Sequence, residues 1–221
     1  MFLYHGSEKI IEKPLYNGGR IHNDYGQGFY CTEFADLARE WSVSGDHDGF
    51  LNCYEFEPDG LSVLDLNDYS ILTWLSVLLQ NRTFTLGTPL AASAKNYIIS
   101  EFGINYSKYD VIKGYRADDS YFSFAQDFLR NVISVQQLKK SMYLGDLGEQ
   151  IVLKSPQAHE QISFSYSESV SQDIWLKRRE ERDDRARKSY FSINREAYVS
   201  GGIYVVNIID EEMKKDDPRL Q

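Results

Sequence analysis

The chain has 221 residues, of which 42% are hydrophobic and 14% aromatic, so it can bury one sizeable core and we expect a single domain over residues 1–221. A formal net charge of -9 argues against general binding to phosphate backbones, which needs clustered basic residues. Two cysteines are too few for a disulfide framework, and the apolar run at 71–79 is too short to span a membrane. With no secretory signal before the first strand-like residues, we expect a cytoplasmic protein.

Hydrophobic periodicity predicts strands and helices in an irregular order. Apolar or alternating runs predict strands at residues 2–5, 28–32, 51–56, 61–66, 109–115, 147–153 and 162–166. Helical spacing predicts a first helix that begins just after Thr32, its expected N-cap, and further helices at 70–81, 91–102, 120–130, 135–143 and 171–188. Residues 203–209 fit a terminal helix or strand.

This mixture of strands and helices, without strict alternation, indicates an α+β domain. The chain becomes densely charged late in the sequence, and we expect a charged helical extension from about residue 168. Its charges alternate in sign at helical spacing, which is typical of a helix face exposed to solvent.

Three separated segments contain polar and aromatic residues in a recurring pattern: residues 3–7 (LYHGS), 26–32 (GQGFYCT) and 148–152 (GEQIV). Together they resemble the His-Tyr-Glu signature of the ADP-ribosyltransferase superfamily, of the poly(ADP-ribose) polymerase and diphtheria-toxin type. The resemblance runs from residue 2 to about residue 164 and is closest to an uncharacterised bacterial family placed in that superfamily. It implies a split β-sheet core with peripheral helices, and NAD as a substrate without a metal.

The resemblance also implies roles for individual residues of the cofactor site. His5 would contact the ribose on the adenosine side, and the backbone of Gly6 would hold the nicotinamide amide, with Ser7 completing that motif. Tyr30 would lie against the nicotinamide ring, and Trp41, on the predicted helix, would cover the other face of the ring. A flat ring between two aromatic side chains gains stacking energy of about 1 kcal/mol beyond its area burial.

Three further polar residues precede the glycine-rich strand. Arg20 and Asn23, with Asp24 beside it, lie in a loop that borders the cofactor in the resemblance. They are candidates for contacts with the NAD phosphates or the adenine ribose. For each of them an ordinary turn or an exposed charge explains the residue equally well.

The position of the catalytic carboxylate is open between two neighbours. The family's glutamate begins a late strand, which matches Glu149 in Glu-Gln-Ile-Val, and such a carboxylate stabilises an oxocarbenium-like transition state. Adjacent strand residues face opposite sides, so only one of Glu149 and Gln150 points into the site. With Gln150 there, the case for transfer chemistry weakens. Arginine-specific transferases carry a second Glu or Gln two residues earlier, where this chain has Leu147.

The leading hypothesis is therefore a mono-ADP-ribosyltransferase that modifies a macromolecule, such as a bacterial toxin or effector. The alternatives are an NAD glycohydrolase, with water as the acceptor, and a non-catalytic module that binds NAD or ADP-ribose. Negative charge favours a protein acceptor slightly over nucleic acid, and an antitoxin or immunity partner fits a toxin. Candidates for the acceptor side are Lys113, Tyr115, Arg116, Asp118 and Asp119. The histidines and cysteines show no metal-ligand spacing.

Overall fold

The computed structural model describes residues 1–117, 119–144, 148–195 and 201–220. It is a mixed α+β structure, as the sequence predicts, with seven strands and eight α-helices within these ranges. The strands are β1 (Phe2–Ser7), β2 (Phe29–Cys31), β3 (Gly49–Phe56), β4 (Val63–Asp65), β5 (Val111–Tyr115), β6 (Glu149–Leu153) and β7 (Ile162–Val170). The helices are α1 (Ala35–Ser42), α2 (Ile71–Asn81), α3 (Pro89–Phe102), α4 (Asp119–Leu129), α5 (Val135–Ser141), α6 (Pro156–Glu160), α7 (Gln172–Arg195) and α8 (Val205–Asp210).

The strands form two sheets that meet at one point. The three-stranded sheet has the order β1-β3-β7 and is antiparallel throughout, and the four-stranded sheet has the order β2-β6-β5-β4, with only β4 and β5 parallel. Tyr4 and Thr32 join the sheets by exchanging two backbone hydrogen bonds of 2.8 and 2.9 Å. Strand β1 therefore lies beside β2, the strand that follows the glycine-rich loop.

The main core lies between the four-stranded sheet and a group of helices. Helix α2 is apolar on nearly all sides and is buried over residues 71–79, which is typical of a helix surrounded by other elements. Trp74 is fully buried, and its indole Nε1–H donates a hydrogen bond to the Tyr25 hydroxyl at 3.1 Å. This bond ties the central helix to the loop that precedes β2.

Helix α1 differs from its prediction at its first residue. It begins at Ala35, and Phe34, which precedes it, makes no side-chain cap. Thr32 is therefore not the N-cap, because its backbone bridges to Tyr4 and its Oγ1 accepts from the N–H of Phe34 at 3.2 Å. Pairing between the two sheets keeps Thr32 in extended structure.

The charged carboxyl-terminal region forms the long helix α7, and β7 continues as far as Val170 before it. The strand is longer than the predicted 162–166 because its exposed end still pairs with β3, from Gly49 onward. Arg182 of α7 forms a buried ion pair with Glu40 of α1, with Nε and Oε2 2.7 Å apart. The helix is thus anchored to the body of the protein and is not solvated on every face.

Both cysteines are buried and unbonded to each other, Cys31 in β2 and Cys53 in β3. Among the described residues, no helix combines the length and the apolar character needed to cross a bilayer.

Candidate functional site

A cleft of about 570 Å³ opens where the two sheets meet. Its walls come from the end of β1, the loop before β2, β2 itself, α1, the end of α2, the segment after β5, β6 and α7. The lining residues are His5, Gly6, Ser7, Arg20, Asn23, Asp24, Tyr30, Trp41, Arg82, Arg116, Ala117, Gln150 and Arg179. Eight of the nine candidate residues from the sequence are in this set, and the ninth, Glu149, is not.

His5 is held by the neighbouring strand. Its Nδ1 lies 2.7 Å from the carbonyl oxygen of Tyr30, and its ring packs at a tilt on Phe29 with centroids 4.5 Å apart. Burial lowers the pKa of His5, so the ring is neutral at pH 7. Because a carbonyl only accepts, Nδ1 carries the proton and donates. Nε2 is then the acceptor that the ring can offer to a hydroxyl group.

Gly6 allows β1 to pass directly against α1. A Cβ atom at this position would lie 1.9 Å from the carbonyl oxygen of Ala38 and 2.7 Å from the backbone nitrogen of Ser42. Both neighbours are backbone atoms of a helix, so no side chain fits without a shift of α1. The glycine thus lets the helix that carries Trp41 approach the strand that carries His5.

Sequence reasoning did not identify Asn52, the residue that fixes the chain after His5. Fully buried in β3, Asn52 donates to the Ser7 Oγ at 3.0 Å and accepts from the N–H of Ile11 at 2.8 Å. Ser7 Oγ in turn donates to the carbonyl of Lys9 at 2.6 Å. The Ser7 hydroxyl therefore already uses its donor within the loop that follows β1. A polar asparagine between Leu51 and Cys53 was the available signal.

Tyr30 presents its ring to the cleft while its hydroxyl is held by the glycine-rich loop. The hydroxyl donates to the carbonyl of Gly26 at 2.6 Å and accepts from the N–H of Tyr25 at 3.0 Å. Burial raises the pKa of Tyr30, so it is never ionised at neutral pH. Gly26 has φ +74°, in the left-handed region that favours glycine, which lets the loop curl around the hydroxyl.

Trp41 lines the same cleft from near the end of α1. The guanidinium carbon of Arg116 lies 4.7 Å from the centre of its ring, in a cation–π contact. One face of the indole is therefore already covered by a cation. Among the described residues, no atom accepts a hydrogen bond from the buried indole N–H.

Glu149 and Gln150, the two alternatives in β6, face different surroundings. Glu149 Oε2 lies 3.0 Å from Lys113 Nζ, and Glu149 Oε1 accepts from the Asn67 amide at 2.6 Å. Gln150 is 3% exposed, and its Nε2 donates to Asp24 Oδ2 at 2.9 Å and to the carbonyl of Tyr115 at 3.2 Å. It is Gln150, an uncharged amide, that shares the cleft with His5 and Tyr30.

Asp24 is the carboxylate of this cleft, and sequence reasoning gave it only a minor place. It is 5% exposed, yet it accepts hydrogen bonds from Arg82 at 3.1 Å, from the N–H of Ala117 at 2.9 Å and from Gln150. Burial raises the pKa of Asp24, while these donors act against that rise. The residue was recognisable only as one of several acids in a loop, because its partners are 58 to 126 positions away in sequence.

Four arginines line the cleft although the protein as a whole has a net charge of -9: Arg20, Arg82, Arg116 and Arg179. They come from four different segments. Arg82 pairs with Asp24, while Arg20 and Arg179 form no ion pair with any residue that the structure describes. A concentration of guanidinium groups in one concave site favours an anionic ligand, above all one with phosphates.

A second cleft, of about 670 Å³, lies beside Glu149 and is more apolar. Tyr115, Tyr143 and Arg185 line it, together with Phe34 and Met142. Of the residues proposed for an acceptor side, Tyr115 thus borders this second cleft and Arg116 the first, while Lys113 lines a third cavity with Glu149. Asp118 and Leu147 lie outside the described residues, and so does the side chain of Asp119.

Comparison with known proteins gives one match. A family model described as "Protein of unknown function (DUF3990)" matches residues 1–164, nearly three quarters of the chain. The matched segment contains every residue that lines the first cleft except Arg179, which lies on α7. Neither the curated proteins nor the solved structures contain a match.

Proposed function

Because the chain belongs to the DUF3990 family, whose description assigns no activity, we propose a function from the first cleft: the protein binds NAD and transfers its ADP-ribosyl group to a macromolecule. The observation that carries this proposal is the convergence of His5, Tyr30 and Trp41 with four arginines in one concave site. The pairing of the two sheets at Tyr4 and Thr32 also supports an ADP-ribosyltransferase-like split-sheet core.

The chemistry of the lining residues fits the parts of NAD. The pyrophosphate carries two negative charges, which the arginines can neutralise through charge-assisted hydrogen bonds. The neutral ring of His5 can accept from a ribose hydroxyl through Nε2. Tyr30 offers an aromatic face to the nicotinamide, and Trp41, with Arg116 on its ring, adds a second aromatic side chain to the lining.

In the proposed reaction, the bond between C1′ of the ribose and the nicotinamide nitrogen breaks, and its electron pair leaves with nicotinamide. A nucleophilic atom of the acceptor then bonds to C1′ and loses its proton. Gln150 can accept a hydrogen bond from the ribose 2′-hydroxyl, but it adds no negative charge to oppose the developing cation. Asp24, directly behind it at 2.9 Å, is the nearest carboxylate among the lining residues.

The uncharged Gln150 favours a second candidate function, a module that binds NAD or ADP-ribose without cleaving it. An oxocarbenium-like transition state gains most from a carboxylate that contacts the substrate, and Glu149 lies outside the cleft. The two candidates share a ligand and differ in whether nicotinamide is released.

Nicotinamide release from NAD by the purified protein, with and without cell lysate, distinguishes the candidates. The transferase proposal expects release that Gln150→Ala abolishes, together with transfer of label from adenylate-labelled NAD to an acceptor in the lysate, for which protein is favoured. Release without a labelled acceptor would indicate a glycohydrolase. NAD binding without release would indicate the binding module, and absence of binding by calorimetry would overturn the proposal.

A further inference from the structure

The side-chain amide of Gln150 is held in one orientation. Its Nε2 lies 2.9 Å from Asp24 Oδ2 and 3.2 Å from the carbonyl oxygen of Tyr115, and both of these groups are acceptors. The reversed amide would place Oε1 against the carboxylate and the carbonyl, neither of which donates a hydrogen bond. The hydrogen-bond partners therefore direct Nε2 toward the protein interior.

The other polar atom of the Gln150 amide, Oε1, is available to a ligand in the cleft. Gln150 lines the cleft, and its Oε1 accepts no hydrogen bond from any residue that the structure describes. A ligand at this point meets an uncharged hydrogen-bond acceptor. A hydroxyl group can donate to such an atom, whereas a phosphate or carboxylate oxygen cannot.

Asp24 is itself fixed from two further sides. Its Oδ1 accepts from Arg82, which follows α2, and its Oδ2 accepts from the N–H of Ala117, after β5. The carbonyl of Tyr115 is equally constrained, because it accepts from the Tyr25 hydroxyl at 2.5 Å and from Trp74 Nε1 at 3.1 Å in addition to Gln150. The acceptors that orient Gln150 thus belong to the rigid body of the protein.

We infer that Asp24 is a positioning residue, which orients Gln150 so that Oε1 faces the cleft and selects a ligand with a hydroxyl donor at that point. The inference rests on the proposed function in taking NAD, with its ribose hydroxyls, as the ligand. It also implies that a second carboxylate at position 150 is unfavourable while Asp24 is present, since two like charges would then lie about 3 Å apart. The identities of residues 24 and 150 are therefore coupled.

Two single variants and their combination test this coupling through NAD affinity. Asp24→Asn retains the shape of the side chain but replaces one of its acceptor oxygens with a donor, so Gln150 loses one of the two acceptors that hold its amide in place. We expect NAD affinity to fall about tenfold, the loss typical of one hydrogen bond. Gln150→Glu should lower affinity by about as much or more. In the double variant, the new amide at position 24 can donate to the new carboxylate at position 150, and affinity should recover about tenfold over Gln150→Glu.

A merely structural role of Asp24 would not produce this recovery, because two damaging changes would then add. Asp46→Asn, the same chemical change at an exposed loop carboxylate, is the matched control and should bind NAD as the wild type does. Wild-type affinity in Asp24→Asn, or a double variant weaker than both single variants, would overturn the inference.

Thermal unfolding of the same four proteins tests the coupling without any ligand. Gln150→Glu should lower the midpoint by about 5 °C, and adding Asp24→Asn should restore at least half of that loss. Strictly additive shifts would overturn the inference even if NAD binds. If the thermal shifts at positions 24 and 150 are coupled but the wild type does not bind NAD, the proposed function is overturned, and NAD is not the ligand.

Discussion

Glu149 and Gln150 are consecutive residues of β6, and their side chains border different cavities of the protein. Glu149 pairs with Lys113 across 3.0 Å on a partly exposed surface, and this contact raises the pKa of Lys113. Gln150 is buried against Asp24. The alternation of a strand thus separates the acidic residue from the amide beside it, and their variants should behave differently.

Replacement of Glu149 by Gln should leave NAD affinity and nicotinamide release within about twofold of wild type. The side chain lies outside the cleft, and a partly exposed ion pair contributes about 0 to 1 kcal/mol. Calorimetry and a nicotinamide assay check this expectation beside Gln150→Ala. Loss of release in Glu149→Gln with Gln150→Ala still active would make Glu149 the functional residue.

Arg179 should contribute directly to ligand affinity. Arg179 lines the cleft and forms no ion pair with a described residue. A ligand phosphate can therefore pair with its guanidinium without breaking an existing ion pair. We expect Arg179→Ala to weaken NAD binding about tenfold, with a smaller dependence of affinity on salt. Arg178→Ala removes the same charge from the same helix, where Arg178 packs on Trp175, and should have little effect. Equal losses in both variants would mean that only net charge matters.

His5 should make the protein less stable in mild acid. Burial lowers its pKa in the folded state, so below pH 6.5 the unfolded chain takes up the proton first and the free energy of unfolding falls as pH decreases. The His5→Asn variant has no group at position 5 that takes up a proton in this pH range. The difference in unfolding free energy between wild type and His5→Asn should therefore shrink by about 1 kcal/mol per pH unit below 6.5. The raised pKa of Asp24 has the opposite effect on the free energy of unfolding, but Asp24 is present in both proteins, so its effect cancels in the difference. A difference independent of pH between 7.5 and 5 would contradict the expectation.

Gly6→Ala should destabilise the protein by about 2 kcal/mol and weaken ligand binding with it. The added methyl group meets the backbone of α1, which must shift, and Trp41 shifts with the helix. Gly87→Ala is the matched control, because nothing lies within 4 Å of a Cβ atom there. Urea unfolding of both variants measures the effect. A Gly6→Ala protein as stable as the control would show that α1 moves freely against β1.

The buried pair between Glu40 and Arg182 should show strong energetic coupling. Removal of one partner leaves a charge in the interior, so Arg182→Met should cost about 3 kcal/mol of unfolding free energy. The double variant with Glu40→Met should be more stable than either single variant. Asp36→Asn, at an exposed pair with Arg39, is the control and should cost under about 0.5 kcal/mol. Additive losses in the double variant would contradict this account.

Local sequence patterns predicted most of the elements. The apolar runs and helical spacing in the sequence correspond to the strands and to helices α1 to α5. Trp41 of α1 lines the first cleft, whereas Phe34, which the spacing placed on the same inward face, precedes the helix and is exposed. Helix boundaries shifted where tertiary pairing intervened, as at Thr32, which bridges to Tyr4. The short helix α6 was not predicted, since five residues give too little periodicity.

Some features of the cleft depend on contacts between residues that are distant in sequence, and these features could not be predicted from the sequence. Strand alternation indicated that Glu149 and Gln150 face apart, but the direction of each depends on how β6 pairs with β2 and β5. Asp24 looked like one acid among many, because its importance arises from Arg82 and Ala117, which are remote in sequence. The burial of Arg182 was equally hidden within a run of surface charges.

Because α7 is anchored on the body of the protein, the candidate site extends beyond the segment that the family shares. The shared segment ends at residue 164, whereas Arg179 enters the cleft from beyond it and Arg182 neutralises Glu40 within it. An expression fragment trimmed to the shared segment would lack one wall of its own cleft and the arginine that pairs with Glu40. Changes in this appended helix alone can accordingly alter the lining of the cleft, while the segment that defines the family stays the same.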